Sequence, residues 1–201
     1  VCSSLKVSDS IVDWAASLWL REINSCYITN DGGEINQKIN LVVPEMRVTA
    51  YTGDDAVVRS TGARGGRQGG VEILDEIGFY TSAPLIAEEA LELLKAPLCP
   101  SGVMDLVLDA DQMMLQVHES VGHPLEIDRI LGDERNYAGT TFVKPDMIGS
   151  YKYGSDKMNI TFDPTVEGQF ASYLFDDDGE KAEKKHIIKD GILIRALGSI
   201  T

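Results

Sequence analysis

The 201-residue chain has little of what several protein classes require. It carries three cysteines, Cys2, Cys26 and Cys99. That odd count at wide spacing excludes a disulfide framework and makes a reducing, cytoplasmic setting the expectation. Only 18 lysines and arginines stand against 32 aspartates and glutamates, a formal net charge of −14. Phosphate backbones are bound through clustered cations, so nucleic acid is not an expected partner. No apolar run reaches the roughly 20 residues that span a bilayer, and no basic segment followed by an apolar one marks a secretory signal. A membrane is therefore not an expected partner either. The chain starts at Val1 rather than methionine and ends at Thr201, soon after an expected strand. Both ends read as cut from something longer.

What remains has the composition of a globular protein, 43% hydrophobic and 25% charged. The expected class is α+β: mixed or antiparallel sheets with a few helices and a β-rich C-terminal part. Apolar residues at Ile11, Trp14, Ala15, Leu18 and Trp19 have helical spacing, so a helix is expected over residues 10–24 with Ser10 as its N-cap. Trp14 and Trp19 are then core or interface anchors. Ile35 to Ser60 reads as strands, with a turn at Gly53-Asp54-Asp55.

The Gly-rich stretch 61–70 matches neither the P-loop nor the GxGxxG pattern, so a flexible loop is favoured over a phosphate nest. A helix is expected over 82–96, with Ser82 as cap, Pro84 in the first turn, and Leu85, Ala90, Leu91 and Leu94 as its buried stripe. Pro97 to Gly102 reads as a joint between two parts, residues 1–98 and 99–201. A short strand is expected at Val103–Leu108, then a helix capped by Asp109 or Asp111. Near the C-terminus, Asp190-Gly191 between two apolar runs is a strong hairpin signal.

Two of the three histidines in the sequence fall in one string, His118-Glu119-Ser120-Val121-Gly122-His123. Two neutral imidazoles beside a carboxylate are the inventory of a hydrolytic zinc site. The spacing is one residue longer than in the HExxH helix. On a regular α-helix, residues i and i+5 point about 140° apart, against about 40° for i and i+4. Gly122 weakens the helix, and Pro124 removes a backbone donor and disfavours αR geometry at His123. A π-like bulge, a kink or a helix end is expected between Val121 and His123, turning both rings towards one ion. A catalytic zinc takes three protein ligands. The third is open among Cys99, Glu126, Asp128 and His186. Glu126 and Asp128 are also candidates to orient the imidazoles from behind. The acidic run Asp176–Asp178 reads as a solvated turn, and His186 as a surface strand residue.

HESVGH followed by Pro124-Leu125-Glu126-Ile127-Asp128 resembles the HExxxH block of the TldD/PmbA metalloproteases, the "modulator of DNA gyrase" family. The approach Ala96–Gly102, the segment Phe175-Asp176-Asp177-Asp178-Gly179 (where the family has a DDEG sequence) and the glycines at 65–70 are similar to family segments. The resemblance covers the chain from about residue 40 onward and sides with the active, TldD-like type. It implies a zinc-dependent peptidase acting on unfolded or flexible peptides. His118 and His123 are then Zn2+ ligands and Glu119 the catalytic base. It further implies a third ligand, a cysteine beyond Thr201, and a homo- or heterodimer with a TldE/PmbA-like subunit. The alternative reading is a non-catalytic scaffold or partner-binding subunit of a protease complex, inactive as this fragment.

Overall fold

A computed structural model describes residues 1–198, with the backbone alone at Ala63 and Arg64. The architecture is α+β, with two antiparallel sheets and four short α-helices among the described residues. The chain divides into two compact units. The first comprises Val1–Val103 with Val166–Ser172, the second Met104–Thr165 with Tyr173–Thr201.

The first unit is built on a long hairpin. Strand β1 (Ile11–Ile28) runs antiparallel to β2 (Glu34–Tyr51) over 18 residues each. Strand β3 (Ala56–Ser60) and the two-residue β4 (Arg67–Gln68) also pair with β2. Helices α1 (Ile73–Glu76) and α2 (Ala83–Leu93) follow. Alternate residues of β2, Val42, Met46, Val48 and Ala50, are buried in one cluster with Ala83, Ile86, Ala87 and Ala90 of α2 and with Leu5, Ile11, Ile73, Leu74 and Phe79. Small residues on the helix let it lie close against the sheet.

The expected helix at residues 10–24 is thus a strand. Its apolar residues fit two periods, and the ladder with β2 decides between them, as tertiary pairing overrides local propensity. Trp19 stands opposite Val43, Ile23 opposite Ile39, and Tyr27 opposite Ile35, all on one face. The overlooked signal is Asn30-Asp31-Gly32-Gly33 between the two runs. There Gly32 takes a left-handed φ of 93°, and the Gly33 N–H donates to Thr29 Oγ1 at 2.9 Å. Ser10 caps nothing helical, and Trp14 and Trp19 are exposed rather than in the core. Helix α2 starts where expected, but Ser82 makes no side-chain cap and Leu85 faces solvent. The buried stripe is shifted to Ala83, Ile86, Ala87 and Ala90.

The expected strand at Val103–Leu108 does not form, because no strand pairs with it among the described residues; Val103, Leu106 and Val107 are exposed. The second unit has helix α3 (Ala110–Val117), the turns that follow it, helix α4 (Ile127–Leu131), and a sheet of β5 (Ile160–Phe162), β6 (Lys185–Lys189) and β7 (Ile192–Leu193). Strands β6 and β7 form the hairpin expected around Asp190-Gly191, with φ values of 49° and 77° at the turn. Its core gathers Val121, Leu125, Val143, Ile187, Ile188 and Leu193.

Candidate metal centre

Asp109 caps α3 by accepting from the Ala110 N–H at 2.7 Å, which sets the helix start eight residues before His118. Past Val117 the helix widens. Residues His118–Gly122 form a π-turn in which the N–H of His123 donates to the carbonyl of His118, five residues back. A tight 3-10 turn, His123–Leu125, follows. The defect expected from the sequence is therefore there, and it is of the π kind.

Its chemical cause is local. Pro124 has no N–H to offer the carbonyl of Ser120, its i−4 neighbour, so the α-ladder cannot pass this point. The orphaned Ser120 carbonyl instead accepts from the Tyr153 hydroxyl at 2.5 Å. Burial, together with nearby Tyr151, raises the Tyr153 pKa, which keeps that hydroxyl protonated as a donor. Two apolar side chains seat the turn: Val121 is 3% exposed and Leu125 fully buried. Its exit is tied down by backbone bonds from the Leu197 N–H to the Leu125 carbonyl (2.7 Å) and from the Ile127 N–H to the Leu197 carbonyl (2.8 Å). With Val121 and Leu125 inward, the histidines fall on the open side.

The π-turn brings the rings together. The His118 and His123 centroids are 4.4 Å apart, nearly perpendicular at 85°. One ligand atom each from His118, Glu119 and His123 lies within 4.8 Å of the others. Glu119 Oε1 is 3.9 Å from His118 Nε2. His118 and Glu119 are exposed and His123 is half-buried, so the group is open to solvent. The donor set fits a zinc ion: two imidazoles with an acid beside them.

Glu126 does not join the group. Its Oε1 lies 2.8 Å from His123 Nδ1, and its Oε2 accepts from Arg129 Nε at 2.8 Å. Burial works against the charge on Glu126, but the hydrogen bonds from His123 and Arg129 outweigh it and hold its pKa below the ordinary value. Arg129, 13% exposed, also donates to the Ala138 carbonyl at 2.5 Å. Asp128 bonds the N–H of Arg129 and reaches no histidine. His186 is exposed on β6, and Cys99, also exposed, belongs to the first unit. Of the residues singled out from sequence, His118, Glu119 and His123 thus converge, with Glu126 behind His123. Arg129 and Tyr153 were missed. Arg129 had a usable signal, its i+3 spacing from Glu126. Tyr153 had none beyond the carbonyl that Pro124 must orphan.

The expected acidic turn is present at 176–180, where Asp176 accepts from the N–H groups of Asp178 and Glu180. The Gly-rich stretch forms a 3-10 turn, Gly62–Gly65, followed by β4. No helix among the described residues is long and apolar enough to cross a membrane.

Residues 101–200 match a family model described as the PmbA/TldA metallopeptidase C-terminal domain. A metalloprotease of Methanothermobacter thermautotrophicus is 29% identical over 191 residues, 95% of this chain and 40% of that protein. A metalloprotease TldD homolog of Haemophilus influenzae is 33% identical over 134 residues, 66% of this chain and 26% of that protein. Among solved structures, a Thermotoga maritima protein named for a proposed modulation of DNA gyrase superposes with a TM-score of 0.71 at 16% identity. That match covers 98% of this chain and 43% of the other, and it bears on the fold alone. The chain spans less than half the length of each of these relatives.

Proposed function

The chain belongs to the TldD/PmbA metallopeptidase family, and from that premise we propose that its second unit carries the zinc-binding half of a peptidase site, with His118 and His123 as ligands and Glu119 as the general base. The observation that carries this reading is the π-turn. It converts an i, i+5 pair, which a regular helix would splay, into two rings 4.4 Å apart with an acid beside them.

Bound zinc would supply a Lewis acid that lowers the pKa of water and polarises a peptide carbonyl. Glu119 takes the proton of the attacking water and hands it to the leaving amine. The substrate class we propose is an extended, unfolded or flexible peptide segment. The group offers two imidazoles, one protein ligand fewer than a catalytic zinc takes. The third is assigned to a cysteine beyond Thr201, and a TldE/PmbA-like or identical subunit is the proposed partner. That missing ligand is also what favours the second reading, a non-catalytic scaffold or partner-binding role for this segment by itself.

The test has two arms. Elemental analysis of the purified chain should find zinc, and His118→Ala with His123→Ala should lose it. In the whole protein, Glu119→Gln should keep zinc while cleavage of an unfolded substrate such as carboxymethylated casein falls by about 10²–10⁴-fold, the usual scale for a lost acid–base group. Retained cleavage in Glu119→Gln would refute the mechanism.

A further inference from the structure

The geometry points to Glu126 and Arg129 as a positioning pair that fixes the tautomer of His123 and thereby its ligand atom; this rests on the metal reading above. Glu126 reaches His123 only at Nδ1, at 2.8 Å, and a carboxylate only accepts. Nδ1 must then carry the proton, and Nε2 of the neutral ring is left with the lone pair that a metal ion needs. Arg129 Nη2 lies 3.5 Å from the same Nδ1. A guanidinium also only donates, so that contact and an Nδ1–H cannot both be hydrogen bonds. The carboxylate contact is shorter by 0.7 Å (3.5 against 2.8) and decides the tautomer.

Arg129 acts one step further back. Its Nε holds the second oxygen of Glu126, so the carboxylate cannot rotate away from His123. Its Nη1 is held by the Ala138 carbonyl, which ties the loop after α4 to the same clamp. The anchor is itself well seated: the side chain of Arg129 is 13% exposed, against 35% for Glu126. The order of the imidazole therefore passes from a partly buried cation, through a shared carboxylate, to one ring nitrogen. Glu126 is consumed by this role and does not supply the third ligand.

Three histidines in the chain make the tautomer directly readable. In chain labelled with ¹⁵N-histidine and free of metal, at mildly alkaline pH, long-range ¹H–¹⁵N correlation should show His123 with the proton on Nδ1. Resonances are assigned by His118→Ala and His186→Ala. Glu126→Ala should move His123 towards the Nε2–H form favoured by free imidazole. Glu126→Gln, whose amide oxygen still accepts, should keep the Nδ1–H form. Zinc affinity, read by competition with a chromophoric chelator, should fall about 10–100-fold in Glu126→Ala, the usual cost of losing the group behind a metal histidine. The loss should be smaller in Glu126→Gln and in Arg129→Lys. An Nε2–H His123 in the unaltered chain overturns the inference, and so does a Glu126→Ala variant, folded by circular dichroism, with unchanged tautomer and zinc affinity. If the unaltered chain binds no zinc but the tautomer responds as described, the metal reading fails and the positioning of His123 by Glu126 stands.

Discussion

The sheet of the first unit and the π-turn of the second are ordered by different forces. Between β2 and α2 the work is done by apolar burial: thirteen buried residues form one cluster, and Met46, Val48, Ala50 and Ala87 are all within about a per cent of full burial. Around the π-turn, Val121 and Leu125 are the two residues of 118–125 sunk into a core. The remainder is polar: the Tyr153 hydroxyl on Ser120, Glu126 on His123, Arg129 on Glu126 and Ala138, and the Thr141 hydroxyl on the Pro124 carbonyl at 2.8 Å. A region held by burial has to turn its side chains inward. A region held by directed hydrogen bonds can fix its backbone and still present imidazoles to solvent, which is what the proposed ligand role of His118 and His123 needs.

The most disruptive test of that contrast lies in the sheet. Met46 is 1% exposed, and Met46→Ala leaves a cavity between β2 and α2. Large-to-small changes of this kind cost about 2–5 kcal/mol, so the urea midpoint of the first unit should drop sharply. The folded fraction should keep its full zinc content. Zinc lost from folded Met46→Ala would show that burial in the sheet, and not the polar frame, holds the π-turn.

A smaller effect is expected from the polar frame. Tyr153→Phe removes the donor to the Ser120 carbonyl and changes little else. A hydrogen bond of this type contributes about 0.5–1.5 kcal/mol net. Chelator competition should report zinc affinity lower by about fivefold, the equivalent of roughly 1 kcal/mol, with the loss of folding stability no larger than about 1.5 kcal/mol. An unfolding midpoint that falls with zinc affinity unchanged would assign Tyr153 to the core and not to the turn.

The same contrast explains what could be read along the chain. At Pro124 the missing N–H is a covalent fact, and everything it causes happens within five residues, so the π-turn and the convergence of His118 with His123 were legible. So were the Asp190-Gly191 hairpin and an acidic cap, which Asp109 rather than Asp111 supplies, and whose causes are equally local. At Trp14, Leu18 and Trp19 the spacing fits a helix and a strand alike, and β2, more than fifteen residues away, makes the choice. Val103–Leu108 errs in the opposite direction. Its residues favour a strand, yet a strand needs a neighbour, and none is present among the described residues. Tyr153 lies thirty-three residues beyond the carbonyl it caps. No pattern near either residue announces the contact.

Gly122 offers the finest test, because it separates two local causes of the π-turn. From sequence, both Gly122 and Pro124 could break the helix. In the structure Gly122 has φ −55° and ψ −72°, a right-handed conformation open to any residue. A Cβ there would meet only the Val117 carbonyl oxygen, at 3.8 Å, an ordinary contact. The turn thus makes no use of the freedom of glycine, and the missing N–H of Pro124 suffices. Gly122→Ala should then stabilise the chain by about 0.4–1 kcal/mol, through the lower entropy of the unfolded state. Zinc affinity should stay within about twofold, since less than half a kcal/mol separates the two. If Gly122→Ala instead loses zinc while remaining folded, an alanine has drawn the segment back into a regular α-helix and splayed the two rings. Backbone flexibility at residue 122, and not the proline, would then set the i, i+5 geometry.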